Sequence, residues 1–100
     1  MRQIALSLLL TFVVSATAGA ADALKGETLA KRWCTACHIV SSEQQRGTTQ
    51  APPFSAVASK PDFNETTLAY FLLTPHPRMP DMNLTRNEAA DLAAYIKTQK

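Results

Sequence analysis

Two cysteines fall within one short stretch, Cys34-Thr35-Ala36-Cys37-His38, and the 100 residues contain no other. Two thiols at this spacing, followed directly by an imidazole, admit four chemistries. A dithiol redox pair of the thioredoxin kind requires a strand before the motif and a sheet around it, and no strand pattern precedes Cys34. A zinc site requires four ligands, and His76 is the only other histidine. A structural disulfide between Cys34 and Cys37 would close a tiny loop and constrain the unfolded chain little. Covalent haem attachment has Cys-x-x-Cys-His as its signature and uses all three side chains. The thiols add across the two vinyl groups of a porphyrin, and His38 offers its imidazole to the iron. The spacing favours this last chemistry.

The N-terminus supports it. Met1-Arg2-Gln3 is a short basic start, Ile4 to Val14 an apolar run, and Ser15-Ala16-Thr17-Ala18-Gly19-Ala20 a small-residue end. These are the three parts of a secretory leader. The apolar run is shorter than the roughly 20 residues a spanning helix needs, so an uncleaved membrane anchor is the weaker alternative. Residues 1–20 are therefore expected to be a leader and residues 21–100 one domain, exported to the periplasm. Export suits the motif, because bacteria attach c-type haem outside the cytoplasm.

A mature chain of about 80 residues buries little more than ~60% of its unfolded surface, and is marginal without a disulfide, metal or cofactor. The hydrophobic content of 46% is inflated by the leader, and only Trp33, Phe54, Phe63, Tyr70, Phe71 and Tyr95 bring aromatic bulk to the mature chain. A large flat ring tethered by two thioethers would supply the missing buried surface. Without haem, the chain is expected to be largely unfolded. Losing Arg2 leaves nine basic against eight acidic side chains, a net charge of +1. No basic stripe exists, so nucleic acid is an unsuitable partner.

Four helical segments position these groups. Ala23 to Trp33 reads as a helix in which Gly26, Ala30 and Cys34 share one face. Glycine inside a helix costs about 1 kcal/mol relative to alanine, so Gly26 points to close approach of another backbone. The polar run Ser41 to Gln50 reads as loop. Pro53 suits the first position of a short helix. Asn64 or Asp62 can cap a middle helix through Leu68, Phe71 and Leu72, which Pro75 stops near Thr74. Pro77 and Pro80, with the neighbouring Pro75, hold the segment His76-Pro77-Arg78-Met79-Pro80-Asp81-Met82 extended. Thr85 and Glu88 fit a capping box with Leu84 as hydrophobic staple. Ala89, Leu92, Ala93 and Ile96 then follow helical spacing, with Tyr95 beside them. The alanine-rich face of this last helix is the expected partner of the Gly26 face. The fold class is all-α, with helices packed around one haem.

Across essentially all of the mature chain, these features resemble the class I c-type cytochromes. The resemblance rests on Gly26 eight residues before Cys34, the Cys34-to-His38 motif, Ala51-Pro52-Pro53-Phe54, Met79-Pro80, and the terminal Leu84-Thr85…Glu88…Asp91-Leu92-Ala93-Ala94-Tyr95-Ile96. It implies that the first and last helices cross near the haem. It also implies that a proline carbonyl accepts from the proximal histidine, Pro52 first and Pro53 next. A methionine of the late loop would be the second axial ligand. Met79 matches that position, while Met82 reads more readily as core packing, His76 would give a bis-histidine haem, and an open site is the remaining alternative. Two departures stand out. Ala30 occupies a position where the family often has an aromatic, a volume that Trp33 or Tyr95 would fill, and Ala51 stands where a glycine is usual. Tyr70 and Arg78 are candidates for a propionate, on a par with an ordinary core edge and a solvated loop.

Histidine opposite methionine raises a haem potential and fills the sixth position. The resulting expectation is a periplasmic one-electron carrier, not an enzyme, that meets a redox protein donor and acceptor, has no stable membrane span after leader cleavage, and favours the monomer. A haem-bearing subunit of a dehydrogenase or sulfur-oxidising complex is the alternative. A haem enzyme or gas sensor with a labile distal ligand, and a dithiol oxidoreductase, are the remaining ones.

Overall fold

Asp22 starts the first helix. Its backbone is extended, and its carboxylate accepts from the Leu24 N–H at 2.9 Å and the Lys25 N–H at 3.2 Å. Two otherwise orphaned donors of the first turn are thereby satisfied. Helix α1 runs Ala23–Trp33, with Lys31 and Arg32 in its last turn, where positive charge complements the helix dipole. The remaining helices are α2 (Phe54–Ala58), α3 (Glu65–Leu73) and α4 (Arg86–Lys97). This computed structural model describes residues 20–74 and 78–100, and no strand occurs among them. Most of the expected leader, residues 1–19, and Pro75, His76 and Pro77 lie outside the described residues. No helix among the described residues is long and apolar enough to cross a membrane.

Helices α1 and α4 form the central contact, as Gly26 predicts, although its neighbours on α4 are Asp91 and Tyr95 rather than alanines. A Cβ at Gly26 would collide with the backbone carbonyl of Asp91, its carbon 2.6 Å away, and stand 2.8 Å from the Tyr95 Cβ. Backbone atoms cannot swing aside, so close crossing requires glycine here. The Asp91 carboxylate returns the contact by accepting the Asp22 N–H at 2.7 Å. One end of the domain is thus tied to the other. Ala30 and Leu92 are fully excluded from solvent in one core cluster with Cys34, Val40, Phe54, Tyr95 and Ile96, and Ala89 and Ala93 of α4 are fully excluded as well.

The other helix starts follow the sequence with one shift. In α4, the Thr85 hydroxyl accepts the Glu88 N–H at 3.1 Å and the Glu88 carboxylate accepts the Thr85 N–H at 3.0 Å. Both halves of the capping box are present. The Thr85 backbone N–H, then its hydroxyl, hold the Glu88 carboxyl below the ordinary carboxylate value. Leu84 packs against the core. Asn64 caps α3 by accepting the Thr67 N–H at 2.9 Å, and α3 ends at Leu73. Pro53, expected at the first helical position, is instead the N-cap of α2. Its ring holds φ at −63°, but ψ is 149°, so the helical backbone begins at Phe54. The Pro53 carbonyl still accepts the Ala56 and Val57 N–H groups. Helices α2 and α3 both lean on α4, leaving one side of the domain to the loops.

Candidate functional site

The attachment motif forms a tight turn directly after α1. The Cys34 carbonyl accepts from Cys37 N–H at 3.2 Å and from His38 N–H at 2.8 Å. This curl brings Cys34, Cys37 and His38 to the wall of one cavity of about 540 Å³, within the roughly 300–1,000 Å³ of cofactor sites. Trp33 closes it on the α1 side, and Thr48 to Pro52 line a second wall. Arg78, Met79, Pro80 and Met82 line a third. A loop after α1 and a loop before α4 therefore face the same space.

The His38 ring is fixed on two sides. Its Nδ1 lies 2.6 Å from the Pro52 carbonyl oxygen. A carbonyl only accepts, so Nδ1 carries the proton and donates, which leaves the Nε2 lone pair available to a metal. Phe54 packs against the ring at 5.3 Å between centroids, and Tyr95 meets Phe54 edge-on at 6.4 Å. The Tyr95 hydroxyl donates to the Val40 carbonyl at 2.7 Å, deep in the core. Through Phe54 and Tyr95 the imidazole leans on α4. Tyr95 is thus an anchor for the attachment loop, while Trp33 lines the cavity.

Cys34 is buried and Cys37 exposed. Burial pushes the Cys34 thiol up to about 11, with the neighbouring Cys37 adding to the effect. Its surroundings favour a neutral sulfur, which is what a thioether is. Among the described residues no three His, Cys, Asp or Glu side chains gather to hold a metal ion, as a zinc site would require. Two sulfurs, one preset imidazole nitrogen, two methionines and an apolar cavity suit a tethered haem. These residues fit the group.

Both candidate methionines reach the cavity. Met82 is buried and Met79 half-buried, between Arg78 and Pro80. Arg78 has φ 76° and Asn83 φ 48°; asparagine adopts this left-handed backbone readily, whereas for arginine it is uncommon. The loop carrying Met79 therefore turns at Arg78 on one side and at Asn83 on the other. His76 lies outside the described residues. Of the two propionate candidates, Arg78 lines the cavity, whereas Tyr70 does not and is 67% exposed.

Three contributors carried no signal in the sequence. Gly47 supports the motif from behind, where a Cβ would stand 2.9 Å from the Cys37 carbonyl oxygen. Thr48 N–H donates to that same oxygen at 2.8 Å. Gln44 bonds the motif's backbone through its side chain. All three sit in a polar run whose composition marks only a loop.

A family model described as cytochrome C oxidase, cbb3-type, subunit III matches residues 21–96. A protein described as cytochrome c-552, from Bradyrhizobium diazoefficiens, is 52% identical over 82 residues, covering 82% of this chain and 79% of that relative. No solved structure matches the chain.

Proposed function

Since the chain belongs to the class I c-type cytochromes, in the family whose model spans residues 21–96, and carries a covalent haem c on Cys34 and Cys37, we propose that it is a periplasmic one-electron carrier with His38 and Met79 as axial ligands. The observation that carries this reading is the 2.6 Å contact from His38 Nδ1 to the Pro52 carbonyl, which aims the free Nε2 within the cavity that Met79 also lines. When bound, the haem supplies the reversible one-electron change of its iron. The residues of this chain do the rest. Cys34 and Cys37 tether the group, so a small diffusing protein keeps it. Pro52 holds the His38 tautomer and ring orientation. The Met79 thioether would hold the iron together with His38, and thioether ligation would raise its potential. Trp33, Ala51, Pro52 and Pro80 wall the cavity against water.

Among the described residues, the side chains that line the cavity include no carboxylate, and the His38 Nδ1 is committed to Pro52. This supports a carrier over an enzyme. A mature net charge of +1 provides weak electrostatic steering, so association with donor and acceptor proteins should depend mildly on salt.

The second reading is a bound electron-transfer subunit, favoured by the family model's description as an oxidase subunit. Size-exclusion chromatography of a native periplasmic extract, followed by haem absorbance, separates the two. The carrier reading predicts haem eluting as a single small chain from that compartment. Elution solely with a large complex, or recovery only with membranes, would replace it with the subunit reading.

A further inference from the structure

Gln44 reaches from the polar loop into the backbone of the attachment motif and bonds it with both ends of its amide. Its Oε1 accepts the Val40 N–H at 3.0 Å. Its Nε2 donates to the carbonyls of His38 at 2.7 Å, Arg46 at 2.7 Å and Thr35 at 3.1 Å. The partners fix the orientation of the amide, because a backbone N–H only donates and carbonyls only accept. Two amide hydrogens serve three carbonyls, so one is shared. The neighbouring carbonyls are held by other groups. Cys34 is bonded by the His38 N–H, Cys37 by the Thr48 N–H, Ile39 by the Phe54 N–H and Val40 by the Tyr95 hydroxyl. Gln44 takes those of Thr35 and His38.

We propose that Gln44 is a positioning residue for the His38 imidazole, an inference that rests on His38 being the iron ligand. The ring's hydrogen-bonded anchor is at Nδ1, on Pro52, with Phe54 packed beside it. The second anchor is its own backbone, and Gln44 pins that backbone at the His38 carbonyl and again two residues on at the Val40 N–H. Only a side chain that donates and accepts can do both. Glutamate at this position would keep the Val40 bond and set a carboxylate oxygen against three carbonyl oxygens. Methionine would keep the shape and lose all four bonds.

The test uses the holoprotein and its Gln44→Glu and Gln44→Met variants. Haem-methyl proton shifts of the ferric protein report the orientation of the axial imidazole, and amide hydrogen exchange reports the backbone. Both variants should show a rearranged pattern of haem-methyl shifts. In Gln44→Met, Val40 amide exchange should quicken by about tenfold, as loss of one net hydrogen bond implies, while Leu92 and Ala93 in α4 keep their protection. Native shifts and a native Val40 rate would overturn the inference. So would an equal loss of protection throughout α4, which marks a merely structural residue. In the native protein the Gln44 side-chain amide protons should exchange slowly; exchange at the free-amide rate overturns the clamp even if neither variant assembles. A native ferric protein without imidazole-ligated low-spin iron would instead overturn the ligand assignment, a failure visible before any variant is made.

Discussion

A Cys34→Ser/Cys37→Ser chain is expected to lose its cooperative melting transition and most of its helical circular dichroism. The reason lies in what fills the core. Its buried residues include Ala30, Ala58, Ala89 and Ala93, and among the described residues Leu92 and Val40 are the largest side chains excluded completely. Alanines permit close approach but bury little area, and burial yields only about 25 cal/mol per Å² of apolar surface. Opposite this thin core stands the 540 Å³ cavity, walled by loops. A domain of this size has little stability to spare. Serine removes both tethers and leaves a polar hydroxyl at the buried Cys34 position. Thermal melts followed by circular dichroism, with the native holoprotein alongside, check the outcome. A compact serine variant with a sharp melt would show that the protein core suffices alone.

Met79→Ala should abolish the weak far-red absorption of a thioether-ligated ferric haem, and Met82→Ala should retain it. Both sulfurs lie on the cavity wall, yet their surroundings differ. Met82 is 9% exposed and counts among the core side chains, where a flexible apolar residue fills space. Met79 is half-buried, followed by Pro80 and preceded by the left-handed Arg78. A proline with fixed φ and the bend at Arg78 hold that loop without help from the methionine side chain, which leaves its sulfur for the iron. Loss of the thioether should also lower the potential by some tenths of a volt, within the roughly 0.8 V over which axial ligands move haem potentials. Removing Met82 should instead destabilise the fold by about 2–5 kcal/mol, as for other buried methionines cut to alanine. The reverse pattern would transfer the ligand role to Met82.

The parts of this architecture visible in the sequence are those set by local rules. Gly26, Ala30 and Cys34 fall four residues apart, so α1 and its small-residue face follow from helical geometry. Thr85 and Glu88 mark the start of α4 because a capping box needs only residues three apart. Other features depend on partners distant in the chain. Asp22 looks like any polar residue until Asp91 is found against its N–H. Tyr95 reads as a core aromatic, and its hydroxyl's partner, Val40, is 55 residues away. Gln44 gives no periodic or compositional signal, since its bonds are to backbone atoms that every residue possesses. Pro53 shows a limit of propensity, because a fixed φ leaves ψ free and the helix begins one residue later. Pro52 is legible only through the family resemblance, because its bond to His38 depends on the path of the loop between them.

Two side chains of this protein, His38 and Met79, would together hold one tethered iron and leave it no open position. Exposure of the ferrous native holoprotein to carbon monoxide tests it most directly. The account predicts a visible spectrum that stays unchanged, because no position is open. Rapid formation of a carbon monoxide adduct by the native protein would contradict it, and would mean an iron built to bind ligands rather than to pass electrons.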